Sequence, residues 1–388
     1  MKNRKVNPKP DTAETARKAM NKRNKKSGGD PNMPYYYVLG GFGGLMVVIV
    51  LYFVLNPKES FLDKQVVDQN EFMINNLHNQ MFTAGPNEQF EGYTMNEARR
   101  FFNIGISETP NMNTCPPKED IAIPDEYDFT KDPKREHCVD KEVRSTGNCT
   151  AGHVLSVIST VEDRICIQGK EGDRFRLSAQ DTISCDSNNF YCDGGYVTQA
   201  LEYGTKYGYV KEECFPYEGK NTTCPVDPNQ CREDKEAYHL LGYCIVQGPI
   251  EIKKEILKNG PVIAPMTPFT DFLTYKEGIY HPQESAFKFN GQQALKIVGW
   301  EQTLNGEAWI IENSWGPSWG EKGYAKVMAG IRDIGLDYIG IAPMPTGSNA
   351  ADWEVESEKL RQDYAKYAEA QKAETEQVEG IEVEEVDA

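Results

Sequence analysis

Histidine and positive charge are scarce in this chain, and cysteine is absent from most of it. Of 388 residues only 5 are histidine, and 42 lysine and arginine residues stand against 59 aspartate and glutamate residues, for a net charge of −17. An acidic body repels polyanions, which argues against nucleic-acid binding. All ten cysteines lie between Cys115 and Cys244, with no Cys-x2-Cys pair and no histidine at ligand spacing from one. The sequence therefore predicts no metal site and no cofactor.

The charges that are present are unevenly distributed. Residues 1–30 carry ten Lys/Arg against three acids, and residues 351–388 carry four against thirteen. Residues 35–55 run for 21 positions without a charge, enough for a helix to cross ~30 Å of hydrocarbon. A cleaved signal peptide is the alternative, but the apolar run is long and no small-x-small cleavage motif follows it. We expect an uncleaved transmembrane helix over 35–56. Its Gly40 and Gly44 form a GxxxG pair, which fits either packing against another helix or simply small residues in a lipid-facing helix.

The flanking charges predict the orientation of this helix. Basic residues before it place the N-terminus on the cytoplasmic or matrix side and the rest of the chain across the membrane. The cysteine density after the helix fits an oxidising space, either the secretory or lysosomal lumen or the mitochondrial intermembrane space. Asn148-Cys-Thr and Asn221-Thr-Thr fit the glycosylation sequon, which matters only in the secretory lumen. The sequence leaves the compartment open.

Hydrophobic periodicity predicts a helical half followed by a β-rich half. Apolar residues recur with helical spacing from near Gly152, at positions 154, 157, 158, 161 and 165. Residues 251–257 predict a short helix that ends at Asn-Gly-Pro. Strands are expected at 262, 295–300, 308–312 and 324–328. The last forty residues place a thin apolar stripe on a charged helix, which is either a solvated tail or a docking helix.

Three separated motifs contain the residues of chemical interest. They are TGNCTAGHVLSVISTVEDRICI at 146–167, SCDSNNFYCDGGY at 184–196 and ENSWGPSWGEKGY at 312–324. With ALKIVGW at 294–300, and in this order, they resemble the papain family of cysteine peptidases. Cys214-Phe-Pro-Tyr and DRICI resemble its cathepsin B and cathepsin C branches. The resemblance covers about residues 121–345 and implies an α+β papain-like fold, with a helical left lobe, a β-barrel right lobe and a peptide groove between them.

A looser likeness extends upstream of these motifs. MFTAGPNEQF at 81–90 resembles the core of a cathepsin B-type propeptide. The domain order that follows is a basic tail at 1–34, the transmembrane helix at 35–56, a propeptide-like segment at 57–120, the papain-like domain at 121–346 and an acidic helix and tail at 347–388.

The catalytic positions that the family requires are degenerate in this sequence. The family uses a cysteine thiolate at a helix N-terminus, a histidine base, an asparagine that orients the histidine and a glutamine that holds the oxyanion. Carried over motif by motif, the nucleophile's position is Gly152, the base's position is Gln293 and the oxyanion glutamine's position is Thr146, while Asn313 and the shielding Trp315 remain. The resemblance thus implies that the protein has no catalytic residues and no peptidase activity.

The expected role is accordingly structural or binding, as a subunit of a membrane complex. Partner subunits would contact the transmembrane helix, the outer faces of the domain and the two charged tails. The propeptide-like segment should persist in the groove, because self-cleavage lacks both its thiol and its base.

Two alternative functions stay open. A cysteine-type peptidase with a rearranged site would use Cys149 as nucleophile or His153, at the family's tryptophan position beside the groove, as base. A peptide-binding receptor would use the vestigial groove, where Gly194 and Gly195 let a peptide backbone approach closely. Labelling by a thiol-directed electrophile tests the first alternative, and an open groove would favour the second.

The resemblance also implies a disulfide framework. Four pairs match bridges of the family or its cathepsin branches: Cys149–Cys192, Cys185–Cys224, Cys138–Cys166 and Cys214–Cys231. Cys115 and Cys244 are left over, either to bridge the propeptide-like segment to the papain-like domain or to stay free.

Overall fold

The described part of the chain comprises most of the segment and domain that follow the predicted membrane helix. The computed structural model describes residues 65–66, 81–107, 113–118, 121–169, 174–225 and 237–346. The predicted basic tail, transmembrane helix and acidic C-terminal helix lie outside these ranges. Among the residues inside them, no helix is long and apolar enough to cross a bilayer.

Most helices precede most strands along the chain, as expected for an α+β fold. The α-helices of the described residues are α1 Met95–Ala98, α2 Gly152–Ile167, α3 Ala179–Cys185, α4 Val197–Tyr207 and α5 Gly248–Asn259. The strands are β1 Phe82–Ala84, β2 Ile104–Gly105, β3 Asn113–Thr114, β4 Tyr127–Asp128, β5 Gly195–Tyr196, β6 Leu240–Gln247, β7 Val262–Met266, β8 Tyr275–Tyr280, β9 Gln293–Thr303, β10 Gly306–Glu312, β11 Tyr324–Met328 and β12 Ile339–Pro345. Short 3-10 helices include Glu88–Phe90 and Arg99–Phe102. The helices predicted from Gly152 and over 251–257, and the four predicted strands, are confirmed.

Helix α2 is the central, buried helix of the left lobe. Its residues from Gly152 to Cys166 are buried, and its apolar side chains share one cluster with those of α3 and α4. Helix α3 begins at Ser178, whose hydroxyl accepts a hydrogen bond from the backbone N–H of Asp181. Helix α4 ends at Gly208, with φ of 72°, a conformation that favours glycine.

The right lobe is built on one ten-stranded sheet. Its strands follow the order β1-β8-β11-β10-β9-β7-β12-β6-β3, and β4 pairs separately with β9. Most neighbours are antiparallel, but β11 pairs with β8 in parallel. The sheet's side chains form the larger apolar core, whose largest buried members are four tryptophans: Trp300, Trp309, Trp315 and Trp319. The strands predicted from alternating and continuous apolar runs are therefore central strands of this sheet.

The propeptide-like segment belongs to the same core. It supplies β1 and β3 at the two ends of the ten-stranded sheet, and β2, which pairs in parallel with β5 of the left lobe. Its Phe90 and Phe102 are buried in the right-lobe cluster. The segment thus connects both lobes and is not a separate unit.

Disulfides join distant parts of the described chain. The bridges are Cys115–Cys244, Cys138–Cys166, Cys149–Cys192 and Cys185–Cys224. Cys214 is also disulfide-bonded, and Cys231, its expected partner, lies outside the described residues. No cysteine that the structure describes is a free thiol. The sequence left open whether Cys115 and Cys244 pair or stay free. In the structure they pair, and the bridge joins the propeptide-like segment to the papain-like domain.

Candidate functional site

Gly152 is the first residue of α2, at the helix N-terminus where the resemblance expects a thiolate. A Cβ atom built on Gly152 would lie 2.8 Å from Cδ1 of Ile104, 3.3 Å from Oγ of Ser314 and 3.5 Å from Nε2 of Gln293. A methyl group of the propeptide-like segment therefore lies where a nucleophile's side chain would begin. The predicted positions Gly152 and Gln293 are adjacent in space, although 141 residues separate them in sequence.

Gln293 and Asn313 form the polar part of this site. The Nε2 group of Gln293 donates to Oδ1 of Asn313 at 2.7 Å and approaches Oγ of Ser314 at 3.4 Å. The same Oδ1 accepts the backbone N–H of Ser314 at 2.8 Å, which fixes the orientation of the Asn313 amide. Both side chains are buried. Gln293 keeps a donor to the asparagine, but a carboxamide does not take up a proton near neutral pH and cannot serve as a general base.

Thr146 lies beside a loop that the propeptide-like segment covers. Thr146 is buried, and within the described residues its hydroxyl has no hydrogen-bond partner. Gln89 of the segment reaches this loop: its Nε2 donates to the carbonyl of Gly147 at 2.6 Å, and its Oε1 accepts from Oγ of Ser145 at 3.2 Å. A hydroxyl at position 146 donates one hydrogen bond on a short side chain, whereas the family's glutamine reaches further with two donors.

The floor of the groove is in contact with the chain's own backbone. The N–H of Gly195 donates to the carbonyl of Asn103 at 3.0 Å. A Cβ on Gly194, where φ is +100°, would lie 2.0 Å from that same oxygen. Such an approach and such a φ both require glycine. The close backbone approach predicted at Gly194 and Gly195 is therefore made by the propeptide-like segment itself.

Trp315 is covered from the same side. It is 2% exposed, and its ring centroid lies 4.9 Å from that of Phe90 and 5.9 Å from that of Phe102. Phe102 also stacks on Phe289 at 4.7 Å. Aromatic pairs of this kind add to the burial free energy. The ring that would shield Asn313 thus contacts the segment.

The two groups proposed for a rearranged site are enclosed. Cys149 is bonded to Cys192 and fully buried. His153 is 1% exposed, and burial lowers its pKa to about 4. A Cβ on Gly195 would meet its Nε2 at 2.7 Å, so the ring packs beneath the groove floor. His153 is consequently neutral near pH 7 and packed against backbone.

The remaining predicted positions lie at the surface or in a bridge. Asn148 and Asn221 are exposed; Asn148 accepts a hydrogen bond from the hydroxyl of Tyr93, and Asn221 from the backbone N–H of Cys192. Ligand-type atoms of His137, Cys138 and Cys166 lie within 4.8 Å of one another. The two cysteines are joined as a disulfide, so this group offers no thiolate to a metal.

Comparison with known proteins agrees with this architecture. A family model described as "Papain family cysteine protease" matches residues 123–345. The chain belongs to the papain family. Among its relatives, Cathepsin B-like CP3 of Giardia intestinalis is 30% identical over 273 residues, which cover 67% of this chain and 88% of the relative. Cathepsin B-like cysteine proteinase 2 of Haemonchus contortus is 31% identical over 253 residues, 57% of this chain and 73% of the relative.

Solved structures of procathepsins share the fold of this chain. The structure titled "proCathepsin B S9 from Trypanosoma congolense" matches with a TM-score of 0.64 and 25% identity, over 74% of this chain and all of that one. A digestive procathepsin L 3 of Tenebrio molitor shares the fold, with a TM-score of 0.60 and 21% identity. The papain-like α+β fold is therefore confirmed, and the relatives are cathepsin B-like.

Sequence reasoning missed three residues that complete the site. Ile104 lies against Gly152, Gln89 covers the 145–147 loop, and Asn103 binds the groove floor. Each meets partners tens of residues or more away in sequence, so neither periodicity nor a motif signals the contact. The available signal was the propeptide-like core at 81–90, which places the segment near the groove without giving its register.

Proposed function

We propose that this chain is a catalytically inactive, membrane-anchored member of the papain family with a structural or binding role. The observation that carries the proposal is the identity of the first residues of α2 and β9, Gly152 and Gln293. Gly152 has no nucleophilic atom, and the Gln293 carboxamide donates to Asn313 where a base would have to accept a proton. Covalent peptidase chemistry needs both a nucleophile and an activating base. Their loss leaves fold and disulfides intact.

The filled groove supports a role other than peptide binding. Ile104 contacts Gly152, Asn103 contacts the groove floor and Gln89 contacts the 145–147 loop. The Cys115–Cys244 bridge fastens the segment that carries these residues to β6. A covalently attached ligand has an effective concentration that free peptides rarely match. The peptide-receptor alternative therefore requires displacement of the segment, and the outer faces are better candidates for contact with partners.

The membrane part of the proposal rests on the sequence. The charge-free run at 35–55 and the basic residues before it support an anchor with residues 1–34 on the cytoplasmic or matrix side. An N-terminal epitope on the full chain in sealed vesicles tests this. We expect protection from external protease when the vesicle interior corresponds to the cytoplasm or matrix; exposure in that orientation contradicts the proposal.

The competing function is a cysteine peptidase with a rearranged site, which the names of the cathepsin B-like relatives favour. A thiol-directed peptide electrophile added to the folded, unreduced full chain distinguishes the two. We expect no adduct, because the described cysteines are paired. An adduct on Cys149 would contradict inactivity. Cys192→Ser is the matched control, since it breaks the same disulfide and leaves Cys149 as a free thiol that reports whether the site is accessible.

A further inference from the structure

A small closed cavity lies behind the candidate site, between α2 and the strands β9 and β10. Its volume is about 10 Å³. Polar side chains from both lobes line it, together with Leu155 and Ala294: Arg144, Ser156, Ser159, Lys296, Glu312, Asn313 and Ser314. A space of this size holds about one water molecule when two to four polar groups surround it.

Two residues that line the cavity each have one hydrogen-bond donor that is unsatisfied within the described part of the chain. These donors are Nε of Arg144 and Nδ2 of Asn313, both with less than 1 Å² of exposed surface. The other Arg144 nitrogens are occupied: Nη2 donates to Glu162 at 2.5 Å and Nη1 to the carbonyl of Leu177 at 3.1 Å. The Oδ1 atom of Asn313 accepts from Gln293 and from the backbone N–H of Ser314. A buried donor without a partner destabilises the fold, so each of these two N–H groups calls for an acceptor.

The lining determines which ligand fits. The positive charges of Arg144 and Lys296 disfavour a cation, and the Glu312 carboxylate disfavours an anion. Water has two lone pairs for the two donors and two protons for acceptors among the other lining residues. The Ser156 hydroxyl, which donates to the carbonyl of His153 at 3.2 Å, keeps a lone pair for such a proton.

We propose that this cavity binds one ordered water molecule, which accepts hydrogen bonds from Nε of Arg144 and Nδ2 of Asn313 and joins the former catalytic asparagine position to a buried ion cluster. On one side of this water lies the Gln293–Asn313 pair. On the other lies the cluster in which Lys296 contacts Asp163 at 2.6 Å and Glu312 at 2.7 Å. The water makes Asn313 a link between the lobes, a role that needs neither thiol nor imidazole.

The first test is a structure of the full-length protein at a resolution that shows ordered solvent. The proposal predicts density within hydrogen-bond distance of both nitrogens. A map that resolves other buried waters and leaves this cavity without density overturns the proposal.

The second test is a double-mutant cycle in the full-length protein, read as shifts in the denaturation midpoint. Asn313→Leu and Arg144→Lys each remove one of the two donors. If one water serves both donors, the double variant loses less than the sum of the two single losses. The matched control pairs Arg144→Lys with Thr182→Val. Thr182 is also buried, with a hydroxyl unpaired among the described residues, but it does not line the cavity. That control cycle should be additive, and additivity in both cycles overturns the proposal.

Discussion

At the residue scale, Ile104 can pack where it does because position 152 is a glycine and has no side chain. The Ile104 side chain is 4% exposed and belongs to the left-lobe core. Its Cδ1 atom lies so close to Gly152 that even an alanine there requires a shift. A side chain at position 152 would require Cδ1 of Ile104 to move. The bare Gly152 and the Ile104 methyl group thus form one packing arrangement.

This dependence predicts the effect of restoring a side chain. Gly152→Ala should lower the free energy of unfolding by ~1 kcal/mol, the lower end of the cost of overpacking a core, because the clashing atom is the end of a flexible side chain. Ile104→Val alone should cost about 0.5–1.5 kcal/mol, because it removes a buried methyl group. In the Gly152→Ala background, where that methyl group clashes, the same change should cost nothing or stabilise. Urea denaturation of the four proteins measures this, and strictly additive values would show that the contact is absent.

The buried histidine predicts a dependence of stability on pH. The pKa of His153 in the fold is about 4, below its ordinary 6.5. The stability that neutral His153 provides is therefore complete above pH 6.5 and is lost as pH falls towards 4, by at most ~1.4 kcal/mol per pH unit. His153→Phe should remove this slope.

The test of His153 compares the free energy of unfolding of the wild type with that of His153→Phe, at pH 7 and at pH 5. Burial raises the pKa of Asp186 and of Asp271 to about 6. The stability these two groups contribute is present at acid pH and lost as pH rises through 6, the opposite sign. Both groups are present in both proteins, so their effect cancels in the difference. Equal pH slopes would contradict the assignment to His153.

At the element scale, α2 is joined to β9 and β10 by buried charges. Lys296 on β9 pairs with Asp163 of α2 and with Glu312 at the end of β10, all nearly inaccessible to solvent. Arg174 contacts Asp163 at 3.0 Å and Glu162 at 2.7 Å. Buried pairs of this kind are costly to break, because the surviving charge is left without a partner.

Lys296→Met should therefore destabilise the fold by about 3–5 kcal/mol. Lys326→Met is the matched control: Lys326 on β11 pairs with Glu301 on β9 at 3.0 Å, but both side chains are partly exposed. Its loss should be ~1 kcal/mol or less. Thermal or urea unfolding of both variants decides, and equal losses would argue against the cluster as a link between the lobes.

The Cys115–Cys244 bridge predicts the behaviour of the propeptide-like segment. The bridge spans 129 residues, and its removal in Cys115→Ala/Cys244→Ala should cost about 2–4 kcal/mol. The segment should nevertheless stay in place, because β1, β2 and Phe90 are held by pairings and packing that do not involve the bridge. Limited proteolysis of the variant tests this, and rapid loss of residues 81–107 would contradict it.

The helices and strands were easier to predict from the sequence than the contacts between them. Helix α2 and strands β9 to β11 were predictable because periodicity and buried apolar runs are local signals. The positions of Gly152, Gln293 and Asn313 followed from motif order. The contacts of Ile104 with Gly152 and of Gln89 with Gly147 could not be predicted in this way. These partners lie 48 and 58 residues further along the chain, and packing sets the register of the segment. The Lys296 cluster was missed as well, since Asp163 and Glu312 appear in sequence as ordinary charged residues.

At the scale of the whole molecule, the segment, both lobes and the disulfides form one closed arrangement. Trp315 and the groove floor are covered by residues of the propeptide-like segment. On the proposed function, the chain cannot remove this segment by its own peptidase chemistry. The account predicts that the native chain retains the segment, which intact mass under reducing conditions measures. A mature chain that begins near Ile121 contradicts it.

The central claim is the absence of peptidase chemistry, and turnover of peptide substrates of cathepsin B by the purified full-length, unreduced protein tests it most directly. The account predicts no turnover, and any trace that persists in Cys149→Ser would come from another protease. Cys192→Ser controls for loss of the shared disulfide. Turnover that Cys149→Ser abolishes and Cys192→Ser retains would contradict the account.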